Sequence, residues 1–168
     1  ANYRVNLDDY GFENAGRIDL SMNGNYVTRN DSQPTPNALN RDCVGYYSTS
    51  CGEPRMKYRL NSRATWSKDD YTVSLAWRHL ADVEVEPISG TWYAPYAKIG
   101  SYNYFDLSGR WNITDTVQVT ATVANLFDEA PPEVGSSIGS TSTNNGNTFP
   151  QTYDVVGRYY TFGLRLRF

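Results

Sequence analysis

The amino-acid sequence has no apolar run approaching the ~18 residues a membrane-spanning helix requires. That excludes helical spans but not a barrel, whose strands are apolar only at alternate positions. Histidine is nearly absent: His79 stands alone, so any Ser/His/Asp constellation would depend on that one side chain. Cysteine is scarce too. Cys43 and Cys51 lie close together in a loop-like segment and read as a local disulfide, hence an oxidising compartment, with two free thiols as the alternative. Two ligands without a neighbouring His or Cys make a poor zinc site. Charge of one sign is lacking, since charged residues are 20% and the net charge is −3, so nothing points to a nucleic-acid partner. The acidic doublets Asp8-Asp9 and Asp69-Asp70 fall in short turns, where neighbouring carboxylates favour turn geometry and do not converge on a substrate. No segment has a 3.6-residue period. The expectation is an all-β chain that is not an enzyme and carries no cofactor or metal. The start, Ala1-Asn-Tyr-Arg-Val5, shows no charged-then-apolar signal peptide, as expected of a mature form or a piece of something longer.

What the chain does have is aromatics, 14% of residues with 14 Tyr and 4 Trp, and strict alternation. At the C-terminal end, Tyr160, Phe162, Leu164, Leu166 and Phe168 fall on one parity, and Thr161, Gly163, Arg165 and Arg167 on the other. A strand with that period has one apolar and one cationic face. The same pattern predicts strands over 16–29, 58–67, 71–86, 102–113, 117–127 and 158–168, with a weaker candidate over 2–8, making an antiparallel meander of six to seven strands. Long connections (about 30–57, 87–101 and 128–157) alternate with short ones (68–70 and 114–116), as when one end of a meander faces outward and the other is trimmed. The stretch 135–147, rich in Gly, Ser, Thr and Asn, is expected to be mobile.

Parity places Trp66, Tyr71, Trp111 and Phe168 outward at the short-turn end, and Tyr26, Tyr58, Phe127 and Tyr160 outward at the long-loop end. Two aromatic rings bracketing an aliphatic band are the girdles of an outer-membrane barrel. His79 and Asn125 are outward polar exceptions near the long-loop end. A soluble β-sandwich with these rings inside is the alternative. Six or seven strands are too few to close a transmembrane barrel, which takes about eight or more, so the chain reads as part of a larger one.

Specific motifs carry a resemblance. Tyr104 to Asp115, then Val119 through Asn125-Leu-Phe-Asp128 to Pro131-Pro132, is similar to the C-terminal region of TonB-dependent outer-membrane receptors. The segments Asn147 to Pro150, Tyr153-Asp154, Gly157-Arg158 and the aromatic-terminated last strand resemble that family's closing pattern. The loop bearing Cys43 and Cys51, with the strand through Lys57 to Asn61 and Trp66, resembles a disulfide-bearing surface loop and the strand after it. The resemblance implies the C-terminal part of a barrel of the ~22-stranded type, set in the outer membrane of a Gram-negative bacterium. It implies import of a scarce nutrient (siderophore, cobalamin, metal complex or saccharide). The implied partners are outer-membrane lipid, the rest of the barrel, a plug absent from this chain, the TonB system through that plug, and the barrel-assembly machinery. The terminal alternation of Tyr160, Phe162, Leu164, Leu166 and Phe168 resembles the signal that marks such barrels for insertion.

Two sets of residues are candidates for contact with a small-molecule ligand. Arg63, Arg78, Arg110 and Arg165 project to the lumen by parity, with Arg17, Arg59, Arg167, Asp19, Asp82, Glu84, Glu86 and Asp106 on the same parity. They could steer an anionic ligand, pair with a plug, or form cross-strand ion pairs. In the loops, Tyr46, Tyr47, Trp92, Tyr93 and Tyr96 are the rings that could stack on sugars or aromatic chelators. The competing reading is a small β-structured surface or adhesion module without transport.

Overall fold

Alternation dictates strands, and the computed structural model, which describes residues 1–33, 35–87, 94–136, 138 and 143–168, contains them. In chain order they are β1 (Asn2–Asn6), β2 (Arg17–Tyr26), β3 (Asp31–Ser32), β4 (Arg41–Asp42), β5 (Tyr46–Tyr47), β6 (Tyr58–Lys68), β7 (Tyr71–Leu80), β8 (Val83–Val85), β9 (Lys98–Ile99), β10 (Tyr102–Asn112), β11 (Val117–Ala124) and β12 (Tyr159–Leu166). Seven of them form one antiparallel sheet, ordered β1-β2-β6-β7-β10-β11-β12, in which every strand pairs with the next long strand in sequence. Among the described residues β1 and β12 each have one unpaired edge, so the sheet is an open wall. The remaining strands are short pieces of the long loops: β3 pairs β4, and β5 pairs β8, which pairs β9.

Register confirms that the two parities are two faces. One row across the sheet reads Leu20, Ala64, Leu75, Leu107, Val123, Tyr160, each opposite the next. The neighbouring row reads Ser21, Arg63, Ala76, Asp106. Arg78, Arg110 and Arg165 lie on that second face, opposite Tyr104, Thr72 and Gln118. The apolar face is not covered: Leu20, Leu75, Tyr160, Phe162 and Leu164 are all exposed, Phe162 by 78%. Tyr71 stacks on Trp111 at the short-turn end, and Phe105 meets Phe127 edge-on at the other.

The buried core lies elsewhere. Tyr47, Met56, Ala81, Val83, Val85, Ile99, Val134, Ile138, Phe149 and Tyr153, all from the long connections, gather around Leu80 and Tyr104 at the long-loop end of the polar face. The loops therefore fold inward over the wall.

Two expectations are corrected by this arrangement. The strand expected over 71–86 is two strands: β7 stops at Leu80, and Val83–Val85 joins a different sheet, parallel to β5. Asp82, Glu84 and Glu86 consequently leave the wall. Asn125 is not outward: it takes a left-handed φ of 49° and is 1% exposed. Within the stretch 135–147, Ile138 and Asn144 are buried, as is Val134 before it; residues 137 and 139–142 lie outside the described residues.

Candidate functional site: the arginine-lined face and its loop cluster

The polar face is rich in arginine because each strand gives one parity to it. Arg4, Arg17, Arg59, Arg63, Arg78, Arg110 and Arg165 come from the strands, against Asp19 and Asp106. Asp19 is already engaged, holding Arg4 at 2.5 Å and Arg17 at 3.2 Å. Asp106 accepts the backbone N–H of Asn125. Arg63 donates to Ser74 Oγ at 3.0 Å, Arg110 to Thr72 Oγ1 at 3.0 Å, and Arg78 lies 4.7 Å from the centre of the Tyr104 ring. Among the described residues, none of Arg63, Arg78, Arg110 and Arg165 makes an ion pair. Arg63 and Arg110 thus bond neutral hydroxyls and Arg78 lies over a ring. Asn23, Asn61, Arg63, Arg78 and Asp106 line an open groove of about 630 Å³ on this part of the wall.

Above the groove, the loop cluster is tied together by polar bonds that sequence reasoning did not find. Glu86, nearly buried, receives Arg41 Nη1 at 2.6 Å and the Ser48 hydroxyl at 2.8 Å, so one carboxylate links the first two long loops. Cys43 and Cys51 are joined, with Cα atoms 5.5 Å apart, and this pins the turn that presents Ser48. The backbone N–H groups of Val44 and Asn30 hold the Asp42 carboxyl below the usual carboxylate range. Lys98 bridges Asp82 and Glu84 at 3.0 and 3.2 Å, which lowers the Asp82 pKa and raises that of Lys98.

The third long loop closes through the residues of the resemblance. Asn125 uses its left-handed backbone to turn the chain, and its amide then brackets the turn: Nδ2 donates to Glu129 O, and Oδ1 accepts Glu129 N–H. Asp128 Oδ1 accepts the N–H of Arg158 at the far end of the same loop. Gly157 between them has φ 76°, and a Cβ there would sit 2.9 Å from Asp128 Oδ1, so only glycine fits. Tyr153 is fully buried, where desolvation pushes its phenol up, and Asp154 N–H donates to Tyr104 Oη.

The loop rings separate by burial. Tyr47 is 0% exposed, packs edge-on against Phe149 and donates its hydroxyl to Tyr96 O, and burial pushes its pKa up to about 12. Tyr47 is therefore a core ring in this arrangement, which corrects its assignment as a ligand contact. Tyr46 is half-buried and Tyr96 is exposed. Trp92 and Tyr93 lie outside the described residues.

The fold is that of the barrel wall of TonB-dependent outer-membrane receptors, with its loops turned over the polar face. The similar solved structures are of one such receptor, the ferric enterobactin receptor PfeA of Pseudomonas aeruginosa. A mutant of it in complex with enterobactin shares 18% identity at a TM-score of 0.61, over 99% of this chain and 22% of that one. The receptor in complex with BCV-L6 gives 19% and 0.60 over the same shares. A further mutant gives 19% and 0.56, over 90% of this chain and 20% of that one. The chain thus spans about a fifth of the receptors it matches. No family model and no curated protein matches it.

Proposed function

We propose that this chain is the C-terminal stretch, residues 1–168, of a TonB-dependent outer-membrane transporter, forming part of the pore wall and the extracellular loops over about 30–57, 87–101 and 128–157. The observation that carries this reading is the open seven-stranded wall with one uncovered apolar face. A soluble adhesion module would cover such a face, because an exposed apolar surface of this extent has no place in water; in a bilayer it meets acyl chains while the unpaired edges meet further strands. The apolar face is then lipid-facing in the outer membrane of a Gram-negative bacterium, and Arg63, Arg78, Arg110 and Arg165 line the lumen. That these four make no ion pair among the described residues supports attraction of an anionic ligand or an acidic plug surface over cross-strand ion pairing. The loop cluster forms the outer mouth, with Tyr46, Tyr96, Trp92 and Tyr93 as its ligand-contact candidates. Transport belongs to the whole protein, with its plug, TonB and the barrel-assembly machinery.

The test is uptake by cells producing the full-length protein. Ferric siderophores, cobalamin, metal complexes and saccharides are offered in turn, with and without TonB. TonB-dependent accumulation of one class is the expected result. Detergent-free solubility of the full-length protein, with no accumulation of any class, would favour the surface module.

A further inference from the structure

The apolar face changes character at its long-loop end. There, on β6, β7 and β10, Asn103 Oδ1 accepts two hydrogen bonds, from Trp77 Nε1 and from His79 Nδ1, each at 2.9 Å. With Nδ1 as the donor, His79 fixes the Asn103 side chain, which keeps its amide N–H groups for a further acceptor. The His79 ring stacks on Tyr58 with centres 5.6 Å apart. Tyr58 lies directly opposite Tyr26, and Lys57 Nζ sits 5.7 Å from the centre of the Tyr26 ring. Lys57, Tyr26, Tyr58 and Asn103 are exposed. Arg29, Arg41 and Lys98 in the neighbouring loops are each held by a carboxylate, whereas neither Lys57 nor His79 meets one among the described residues. The band thus offers an ammonium, an amide donor, an imidazole and several ring faces, without an acid. On a surface that is otherwise apolar, that chemistry suits a phosphate carried on an acyl-chain lipid, with its glycerol or sugar part laid on the rings.

We propose that Lys57, Tyr26, Tyr58, His79 and Asn103 form a binding site for the phosphate-bearing headgroup of an outer-leaflet lipid. The site rests on the reading of this face as lipid-facing. It lies on the opposite side of the wall from the arginine-lined groove and binds a structural lipid, not the transported ligand.

Native mass spectrometry of the full-length protein in neutral detergent tests it, with dioleoyl phosphatidic acid and dioleoylglycerol, which differ only in the phosphate. The wild type should retain phosphatidic acid in preference to dioleoylglycerol. Lys57→Gln should weaken phosphatidic acid by about fivefold, the weight of one basic residue at an anionic membrane surface. Lys57→Arg should keep it, His79→Leu and Asn103→Leu should weaken it, and Arg110→Gln on the opposite face should leave it unchanged. Equal retention of the two lipids, no change in Lys57→Gln combined with His79→Leu, or displacement by equimolar inorganic phosphate would overturn the site. Tryptophan quenching by phosphatidic acid with brominated acyl chains separates the two levels. Quenching without headgroup selectivity overturns the site alone, whereas absence of quenching overturns the lipid-facing assignment beneath it.

Discussion

Asn125 shows what a single residue does in this chain. Its left-handed backbone and two amide hydrogen bonds to Glu129 end β11 and start the third long loop. Alanine would lose both bonds and strain the backbone, so Asn125→Ala should cost about 2–3 kcal/mol. A shift of the urea midpoint in micelles, at unchanged slope, measures it. Tyr47 gives a pH-dependent counterpart. Burial raises its pKa to about 12, so the folded loop cluster holds the phenolic proton more tightly than the unfolded chain. That stabilisation is complete below the ordinary tyrosine range near pH 10 and is lost as the pH rises toward 12. Tyr104 and Tyr153 are raised by burial as well, so alkaline titration of tyrosinate absorbance should show a late, cooperative step whose amplitude falls by one tyrosinate in Tyr47→Phe; an unchanged amplitude there would show that Tyr47 is not among the late phenols. The burial of Tyr47 was not legible beforehand. Period tells which face of a strand a side chain takes, but not what a loop distant in sequence lays over it.

Among elements, the long strands were readable because alternation, hairpin turns and register all point the same way. The Asp69-Asp70 turn, with Asp69 at φ 47°, forces β6 and β7 into the register that puts Ala64 opposite Leu75. The short β8 was readable as a strand, yet its sheet was not: Val83 and Val85 continue the alternation of β7, but their apolar side is satisfied by the loop core. The Cys43–Cys51 pairing followed from the closeness of the two residues in one loop-like segment, whereas the bond from Arg41 to Glu86 spans 45 residues and leaves no local signal. Two predictions belong here. Reducing the disulfide should destabilise the loop cluster by ~2–3 kcal/mol in the chain-entropy model, read as faster proteolysis within 30–57 while the wall stays intact. Glu86→Ala strands Arg41 and Ser48 together. Because Arg41 keeps partial solvent contact, the cost should be about 2–3 kcal/mol, below that of a fully buried pair; hydrogen exchange at Tyr47 and Val85 should rise, and unchanged exchange would show that the apolar contacts alone hold the two loops.

At the level of the whole molecule, the transporter proposed above would give one face of the wall to lipid and the other to the lumen. Phe168 lies beyond β12 with its ring fully exposed, continuing the apolar parity of Leu164 and Leu166. In the full-length protein, Phe168→Asp should therefore reduce the outer-membrane yield of heat-modifiable barrel more than it reduces the ligand affinity of what inserts. Unchanged yield with lost affinity would place Phe168 at the binding site and contradict the wall assignment.

The strictly sequential pairing of the wall also has a kinetic side. Three wall pairings, β1 with β2, β6 with β7 and β10 with β11, close over short connections and can form as local hairpins, whereas β2–β6, β7–β10 and β11–β12 must close across the long loops. The disulfide closes over 8 residues and needs nothing else to be in place. Bringing Tyr47 onto Phe149, and Tyr104 under Asp154, requires all three long loops to meet across the sequence. The mouth must therefore assemble after the local hairpins that carry it, and its loops should open before those hairpins do when the protein unfolds.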